Sequence, residues 1–305
     1  MTKLREIGTF WVAGALGWME VLSLSTMLAR GHKVTLFSYG PVANLPEGVI
    51  WRDAREIFDT DRIFVHGAMR TPSAHSDIFR MKMFAQTDMV WMDLDFLLLR
   101  PLATEAAFIF APEGPTEAHS IGNSVFRLPE NSQTLARALE YFEGVVSGRR
   151  RYRSEMLYED APGGAFGSGL PAQALDMHIA TFGPLLMNRL LKATGEVAQQ
   201  MPWSSFYPFD ASQLGAFVFR SFKEVWADIP KDGYGIHLWA TFSKQYLTHR
   251  SAFNDTERLM NSFLIEMCRK YRVNFLTLPC EHPRVRIGRD DGLPIAQWSA
   301  EEAAL

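Results

Sequence analysis

Residues 8–39 read GTFWVAGALGWMEVLSLSTMLARGHKVTLFSY, and this stretch decides the fold class. Gly8 to Ala13 predicts a short buried strand, and Trp18 to Arg30 an amphipathic helix that Gly31 can end. Lys33 to Tyr39 is rich in β-branched and aromatic residues, which predicts a second strand. A strand, a helix and a strand within about 40 residues are typical of a βαβ unit. We therefore expect an α/β fold with a mixed, mainly parallel sheet flanked by helices.

Hydrophobic patterns on either side of this unit predict further elements. A helix is expected from Ser73 or Ser76 to about Phe84, and helical additions in the C-terminal half of the chain. The other predicted strands are 49–51, 89–92, 108–110, 121–128 and 235–239, and the other predicted helices are 132–146, a segment near Ala172, and 184–194.

Length and composition suit a globular protein. The chain has 305 residues, of which 47% are hydrophobic and 21% charged, enough apolar surface for a full core. We expect a single domain over 1–305, with a first half at 1–130, a second half at 131–285 and a polar, peripheral tail at 286–305.

Charge and cysteine content exclude some classes of protein. The net charge is -3, whereas a general nucleic-acid binder is usually basic, so no nucleic-acid partner is expected. Cys268 and Cys280 have no zinc spacing and suggest free thiols in a reducing compartment. Without a signal peptide or a long apolar run, a cytoplasmic location is expected.

Two unusual segments lie between residues 148 and 170. The basic run Arg149 to Arg153 is interpreted as a solvated face, with an anionic acceptor or peripheral contact with a membrane surface as the alternative. The glycine-rich stretch 161–169 is either a lid that excludes water or an ordinary connection.

Two aspartates interrupt an apolar segment, DMVWMDLDFLLLRPL at residues 88–102. Unpaired carboxylates in such a place are costly, and a bound divalent cation would compensate them. At the end of a strand, Asp93 and Asp95 would lie at the carboxyl edge of a parallel sheet, where ligands bind. Hard oxygen ligands suit Mg²⁺ or Mn²⁺. A D-x-D sequence alone is also compatible with a solvated turn, but the flanking apolar runs favour the metal site.

Asp77 and Arg80 precede this segment on the expected helix. Their i, i+3 spacing places them on one face, where a carboxylate and a guanidinium could bind the hydroxyl or phosphate oxygens of a sugar ligand. An ordinary surface ion pair fits the same spacing equally well.

Together these residues resemble a known signature. Ser76-Asp77-Ile78-Phe79-Arg80, followed by Val90 to Asp95, is similar to the "SD..R … G-aromatic-x-D-x-D" pattern of retaining GT-A-fold (Rossmann-like) glycosyltransferases related to family 32. These include α-1,4-galactosyl- and N-acetylglucosaminyl-transferases and bacterial capsule or lipopolysaccharide sugar transferases. The segments 10–12, 182–184 and 236–239 resemble the family's first strand, its "TGP" and its "HLW" segments. The usual glycine before the D-x-D strand is absent, and Gln86-Thr87-Asp88 stands there.

The resemblance implies a role for each matching position. Asp95 would ligate the metal, and Asp93 would contact the ribose and share the metal. Asp77 and Arg80 would contact the donor sugar, and Trp11 the nucleotide base. His237 would be a third metal ligand or a diphosphate contact, although a hydrogen-bonded core histidine fits as well. Residues 1–130 would then bind the nucleotide-sugar, and 131–285 the acceptor.

The resemblance therefore implies a metal-dependent retaining hexosyltransferase. It would move a hexose or N-acetylhexosamine from a UDP-sugar to a saccharide or glycolipid acceptor, in surface polysaccharide or lipopolysaccharide synthesis. Asn123 could face the sugar or be a buried structural amide. A metal-dependent phosphohydrolase and a catalytically silent nucleotide-sugar-binding protein are the alternatives.

Overall fold

A computed structural model describes residues 4–67, 71–116, 119–150, 156–158, 167–240 and 260–274. Cys280, the tail at 286–305, most of the basic run and most of the glycine-rich stretch lie outside these ranges. Within them we number ten strands: β1 (Ile7–Phe10), β2 (Val34–Ser38), β3 (Ile50–Asp53), β4 (Ile63–His66), β5 (Val90–Met92), β6 (Phe96–Leu98), β7 (Val125–Phe126), β8 (Met156–Tyr158), β9 (Ala172–Leu175) and β10 (Gly235–His237).

The central sheet has five strands in the order β3-β2-β1-β5-β7. Strand β1 pairs in parallel with β2 and with β5, and β2 pairs in parallel with β3. Only β7, at one edge, is antiparallel to its neighbour. The expectation of a mixed, mainly parallel sheet is confirmed, and the carboxyl ends of β1 and β5 lie side by side.

Seven α-helices accompany the strands within the described ranges: α1 (Trp18–Ala29), α2 (Ser73–Gln86), α3 (Gln133–Val146), α4 (Leu186–Thr194), α5 (Gly215–Phe219), α6 (Phe222–Asp228) and α7 (Phe263–Lys270). Helix α1 packs against β2 and β6, while α2 packs against β1, β4 and α3. Helices therefore flank the sheet, and further helices follow in the C-terminal half, as expected. In the described ranges, no helix is both long enough and apolar enough to span a membrane.

Two smaller sheets complete the described structure. Strand β10 pairs antiparallel with β6, with His237 opposite Phe96. Strand β9 lies between β4, to which it is parallel, and β8, to which it is antiparallel. The antiparallel pair matters most for the site, because β6 begins directly after Asp95.

The structure corrects several predicted elements. The segment near Ala172 is strand β9 rather than a helix, because its backbone pairs with two other strands. The predicted strand at 108–110 is reduced to a single bridge from Ile109 to Arg127. The predicted strand at 121–128 is reduced to the two residues of β7 and single bridges at Ile121 and Arg127. Helix α4 begins at Leu186, after a helical turn of different geometry at Thr181–Leu185. Strands β4, β6 and β8 were not anticipated.

Candidate metal centre

Asp93 and Asp95 lie in the tight turn that connects β5 to β6. The strands on both sides are fully buried, so the apolar runs anchor the turn at the carboxyl end of β5. The Asp93 N–H donates to the Ser124 carbonyl at 2.7 Å, and the Phe96 N–H donates to the Asp93 carbonyl at 3.2 Å. The carboxylates are thus at the sheet edge, where they were expected, but in a turn and not within a strand.

His237 joins the two aspartates through the pairing of β10 with β6. One ligand atom each of Asp93, Asp95 and His237 lies within 4.8 Å of the others. The Nε2 atom of His237 is 3.2 Å from Asp95 Oδ2, and the Ala240 N–H donates to the same oxygen at 2.8 Å. Two carboxylates and an imidazole at these separations form a group that can hold a divalent cation.

The charges in this group favour an added positive charge. Burial raises the pKa of Asp93, an effect that Arg80 opposes and that the neighbouring Asp95 carboxylate reinforces. Burial lowers the pKa of His237, but the charge and hydrogen bond of Asp95, together with the charges of Asp93 and Glu113, outweigh this effect and leave the pKa raised. The cluster therefore attracts a proton onto His237, and a divalent cation would satisfy the same negative charge.

Asp77 and Arg80 form a buried pair beside the cluster. Both are less than 6% exposed, which is unlike the surface ion pair that their spacing also allowed. The Nη2 atom of Arg80 is 3.3 Å from Asp77 Oδ1 and 3.4 Å from Asp93 Oδ1. The guanidinium also lies 4.5 Å from the centre of the Trp91 ring and donates to the Asn123 carbonyl. Arg80 consequently connects the helix residue Asp77 to the candidate metal ligand Asp93.

Asn123 and Gly183 enclose the Asp77 carboxylate. The Asn123 side-chain amide donates to Asp77 Oδ1 at 3.1 Å. A Cβ atom at Gly183 would lie 3.0 Å from the same oxygen and would overlap the Asn123 amide nitrogen, so a larger residue would displace the amide from Asp77. Burial raises the pKa of Asp77 to about 7, with Arg80 opposing and Asp93 adding to the shift.

Two tryptophans belong to the apolar cluster that includes Leu94, the residue between the two aspartates. Trp11 follows β1 at the carboxyl end of the sheet and is 8% exposed. Trp239 follows β10, with its ring centre 4.4 Å from that of His237, and has a φ of 52°, in the left-handed region. Among the described residues neither indole N–H has a hydrogen-bond partner, and both side chains belong to the same apolar cluster. Unpaired buried donors of this kind are suited to a bound polar ligand.

The structure brings together most of the residues singled out from the sequence and adds others. Asp77, Arg80, Asp93, Asp95 and His237 are linked by direct contacts, and Trp11 lies in the adjoining apolar cluster. Trp91 and Trp239, which lie in the segments that resemble the family's motifs, also take part: Trp91 donates to Asp93 Oδ1 at 2.6 Å, and the Trp239 ring lies beside that of His237. Tyr207 is a further side chain at the site. Trp91 occupies the aromatic position of the D-x-D pattern, whereas no local sequence signal existed for Tyr207.

Similarity to known proteins is found at the level of structure. No family model matches the sequence, and no curated protein matches it. Among solved structures, the chain is similar to one described as "PaToxG Glycosyltransferase", with 12% sequence identity and a TM-score of 0.40, over 88% of this chain and 86% of that chain.

Proposed function

We propose that the chain is a metal-dependent retaining glycosyltransferase that uses a UDP-sugar donor. The observation that carries the proposal is the contact between the Asp93–Asp95–His237 cluster and the buried Asp77–Arg80 pair at the carboxyl end of β5. The resemblance of the sequence to family 32 and related GT-A-fold enzymes supports the same interpretation.

The cluster is proposed to bind the diphosphate of the donor through a divalent cation. Asp95, Asp93 and His237 would bind Mn²⁺ or Mg²⁺, and such a cation would neutralise the charge that develops on the departing nucleoside diphosphate. Asp93 is held by Trp91 and Arg80, and it would also contact the ribose. Trp11 is proposed to lie against the base, where its indole ring could stack.

The buried Asp77–Arg80 pair is proposed to contact the transferred sugar. Asp77 accepts hydrogen bonds and Arg80 donates them, so together they can bind neighbouring hydroxyl groups. Asn123 already donates to Asp77 and would support its orientation. The sugar would be a hexose or an N-acetylhexosamine. We assign no protein nucleophile, since same-face attack assisted by the leaving phosphate is the expectation for retaining enzymes of this type.

The acceptor is proposed to be a saccharide or glycolipid, in surface polysaccharide or lipopolysaccharide synthesis. Residues 1–130 would bind the donor and 131–285 would contribute to the acceptor side. Since His237 comes from the second segment, the cluster would also bring the two segments together at the diphosphate.

Donor hydrolysis provides a direct test that needs no acceptor. The protein is incubated with Mn²⁺ and UDP-glucose, UDP-galactose or UDP-N-acetylglucosamine, and free UDP is measured. We expect slow, Mn²⁺-dependent hydrolysis of one donor, which Asp95→Ala abolishes. Asp232→Ala is the matched control, because Asp232 is an exposed aspartate on the turn before β10.

Two other outcomes would contradict the proposal. UDP-sugar binding without turnover, across a panel of saccharide acceptors, would indicate a catalytically silent binding protein. Metal-dependent phosphate release from p-nitrophenyl phosphate would indicate a phosphohydrolase. Enzymes of the latter kind often use two metal ions, whereas the residues described here form one group of three potential ligands.

A further inference from the structure

Tyr207 is completely buried between the two chain segments that supply the metal cluster. One segment is the turn that carries Asp93, and the other is β10, which carries His237. The Tyr207 hydroxyl reaches the first segment indirectly, through Ser124, and the Tyr207 ring contacts the second directly. It is outside the residues to which the proposed function gives a role.

The hydroxyl connects Tyr207 to Asp93 through Ser124. It accepts a hydrogen bond from the Ser124 N–H at 3.2 Å and shares another with the Ser124 Oγ atom at 2.8 Å. The Ser124 carbonyl in turn accepts from the Asp93 N–H at 2.7 Å. A Cβ atom at Gly122 would overlap the Tyr207 hydroxyl, so the glycine leaves the space in which this connection forms.

The ring connects Tyr207 to the end of β10 and to the residues that follow it. The ring centre is 5.9 Å from that of His237 at an interplanar angle of 81°, an edge-to-face arrangement, and 6.1 Å from that of Trp239. The start of β10 is also held near Tyr207 by the backbone. Tyr234, one residue before β10, donates its N–H to the carbonyl of Ser205 at 2.8 Å. Tyr207 is therefore linked to Asp93 through Ser124 and contacts His237 directly, without being a ligand itself.

We propose that Tyr207 is a positioning residue that sets the separation of Asp93 and His237, so that both can bind one divalent cation. This inference rests on the proposed function, since it assumes that the cluster holds a metal. Removal of the hydroxyl would free the Asp93 turn to move relative to β10, and the cation would lose part of its ligand geometry.

The test measures Mn²⁺ affinity by isothermal titration calorimetry, which does not depend on turnover. Tyr207→Phe keeps the ring and removes only the hydroxyl, and it should raise the Kd for Mn²⁺ about five-fold, the effect expected of one hydrogen bond. Ser124→Ala interrupts the same connection at its other end and should raise the Kd similarly. Both substitutions interrupt the same connection. The double variant should therefore bind Mn²⁺ about as weakly as either single variant and not more weakly.

Tyr39→Phe is the matched control for general destabilisation. Tyr39 is also buried, and its hydroxyl also makes two hydrogen bonds, to the Phe58 carbonyl at 2.7 Å and to His75 Nε2 at 3.0 Å. Its removal should lower the thermal midpoint while leaving the Kd for Mn²⁺ unchanged. A positioning role for Tyr207 requires that difference between the two tyrosines.

The outcomes separate the two proposals. Absence of Mn²⁺ binding by the wild-type chain would overturn both the metal-dependent function and the role of Tyr207. Wild-type binding that Asp95→Ala abolishes, together with unchanged affinity in Tyr207→Phe and Ser124→Ala, would overturn the role of Tyr207 alone.

Discussion

Arg80 is the residue that connects the proposed sugar contact to the proposed metal ligands. Its guanidinium contacts Asp77 and Asp93, donates to the Asn123 carbonyl and stacks on Trp91. A lysine would keep the charge but could not reproduce the planar fork or the stacking. We expect Arg80→Lys to lower donor hydrolysis on the order of 100-fold, because Asp77 and Asp93 would lose their relative placement. Steady-state UDP release measures the effect.

Arg127→Lys is the control for that experiment. Arg127 is 4% exposed, pairs with Asp88 at 3.1 Å and lies over the Phe84 ring at 5.5 Å, so it resembles Arg80 in burial and stacking. Its replacement should cost about 1 kcal/mol of stability without changing turnover per folded molecule. If the two variants lose activity equally, the effect of Arg80→Lys is one of folding and not of the site.

In the metal-free protein, the raised pKa of Asp77 should make the stability of the folded state decrease as the pH rises. Burial raises the pKa of Asp77 to about 7, from 3.8 in an unperturbed aspartate. At pH values between 3.8 and about 7, Asp77 is protonated in the folded state and deprotonated in the unfolded state. The contribution of Asp77 to the free energy of unfolding is therefore full below pH 3.8 and is lost as the pH rises to about 7. Each unit of pKa difference corresponds to about 1.4 kcal/mol.

Chemical unfolding of the chelator-treated protein at a series of pH values measures this contribution. Relative to Asp77→Asn, which does not titrate, the wild type should lose stability as the pH increases from 4 to 7. A wild-type-minus-variant difference that stays constant over this range would show that the pKa of Asp77 is not raised.

Sequence spacing could identify some of the site residues but not the contacts between them. The i, i+3 spacing placed Asp77 and Arg80 on one face of α2, and the apolar runs placed Asp93 and Asp95 at a strand end. Whether the pair was buried could not be read from spacing, because the residues that enclose Asp77 include Gly183, about 100 residues further along the chain. The contact of His237 with Asp95 likewise follows from the pairing of β10 with β6.

Elements defined by local patterns were predicted well, and those defined by distant partners were not. Residues 8–39 formed β1, α1 and β2 as expected, because their hydrophobic period and the glycine after the helix are local. The segment Ala172–Leu175, sequence AQAL, has no strong strand preference and was assigned to a helix. It becomes β9 because β4 supplies backbone partners from more than 100 residues earlier.

Helix α3 has two groups that cap its N-terminus, and one of them comes from a residue far from the helix in sequence. Ser132 is an ordinary N-cap, whose Oγ accepts from the Leu135 N–H at 3.1 Å. Glu196, located beyond α4, adds a carboxylate that accepts from the Gln133 N–H at 2.8 Å, the Thr134 N–H at 3.0 Å and the Ser132 hydroxyl at 2.7 Å. A negative charge at this end also interacts favourably with the helix dipole.

We expect Glu196→Gln to lower the free energy of unfolding by about 1 kcal/mol at pH 7, the usual magnitude for a cap. Burial raises the pKa of Glu196, but hydrogen bonds from Thr134 and Ser132 outweigh it and hold the pKa below 4.5. The stabilisation is therefore present above pH 4.5 and is lost as the pH falls through the lower folded value. Urea unfolding at pH 7 and at pH 3 measures it.

Glu140→Gln is the control for the cap, because Glu140 lies exposed on the same helix. It should change stability by less than about 0.5 kcal/mol, as most surface substitutions do. Equal effects of the two substitutions, or an effect of Glu196→Gln that does not shrink at pH 3, would contradict the capping role.

At the scale of the whole molecule, the metal cluster lies where two sheets meet. Asp93 follows β5 of the central sheet, Asp95 precedes β6 of the two-stranded sheet, and His237 ends β10 of that same sheet. A cation bound by all three would connect the sheets directly. The third sheet, β4-β9-β8, contributes none of these ligands, so it serves as an internal reference for the effect of metal.

Hydrogen exchange should consequently show where Mn²⁺ binding stabilises the fold. Saturating Mn²⁺ at 100 times its Kd stabilises the binding-competent state by about 2.7 kcal/mol, and local openings that break the cluster become rarer. We expect slower exchange in residues 91–98 and 235–240, with little change in Ile63–His66 and Ala172–Leu175. Asp95→Ala should remove the protection. Uniform slowing in all three sheets would instead mean that Mn²⁺ acts only on global unfolding, whereas protection confined to 91–98 would exclude His237 from the metal site.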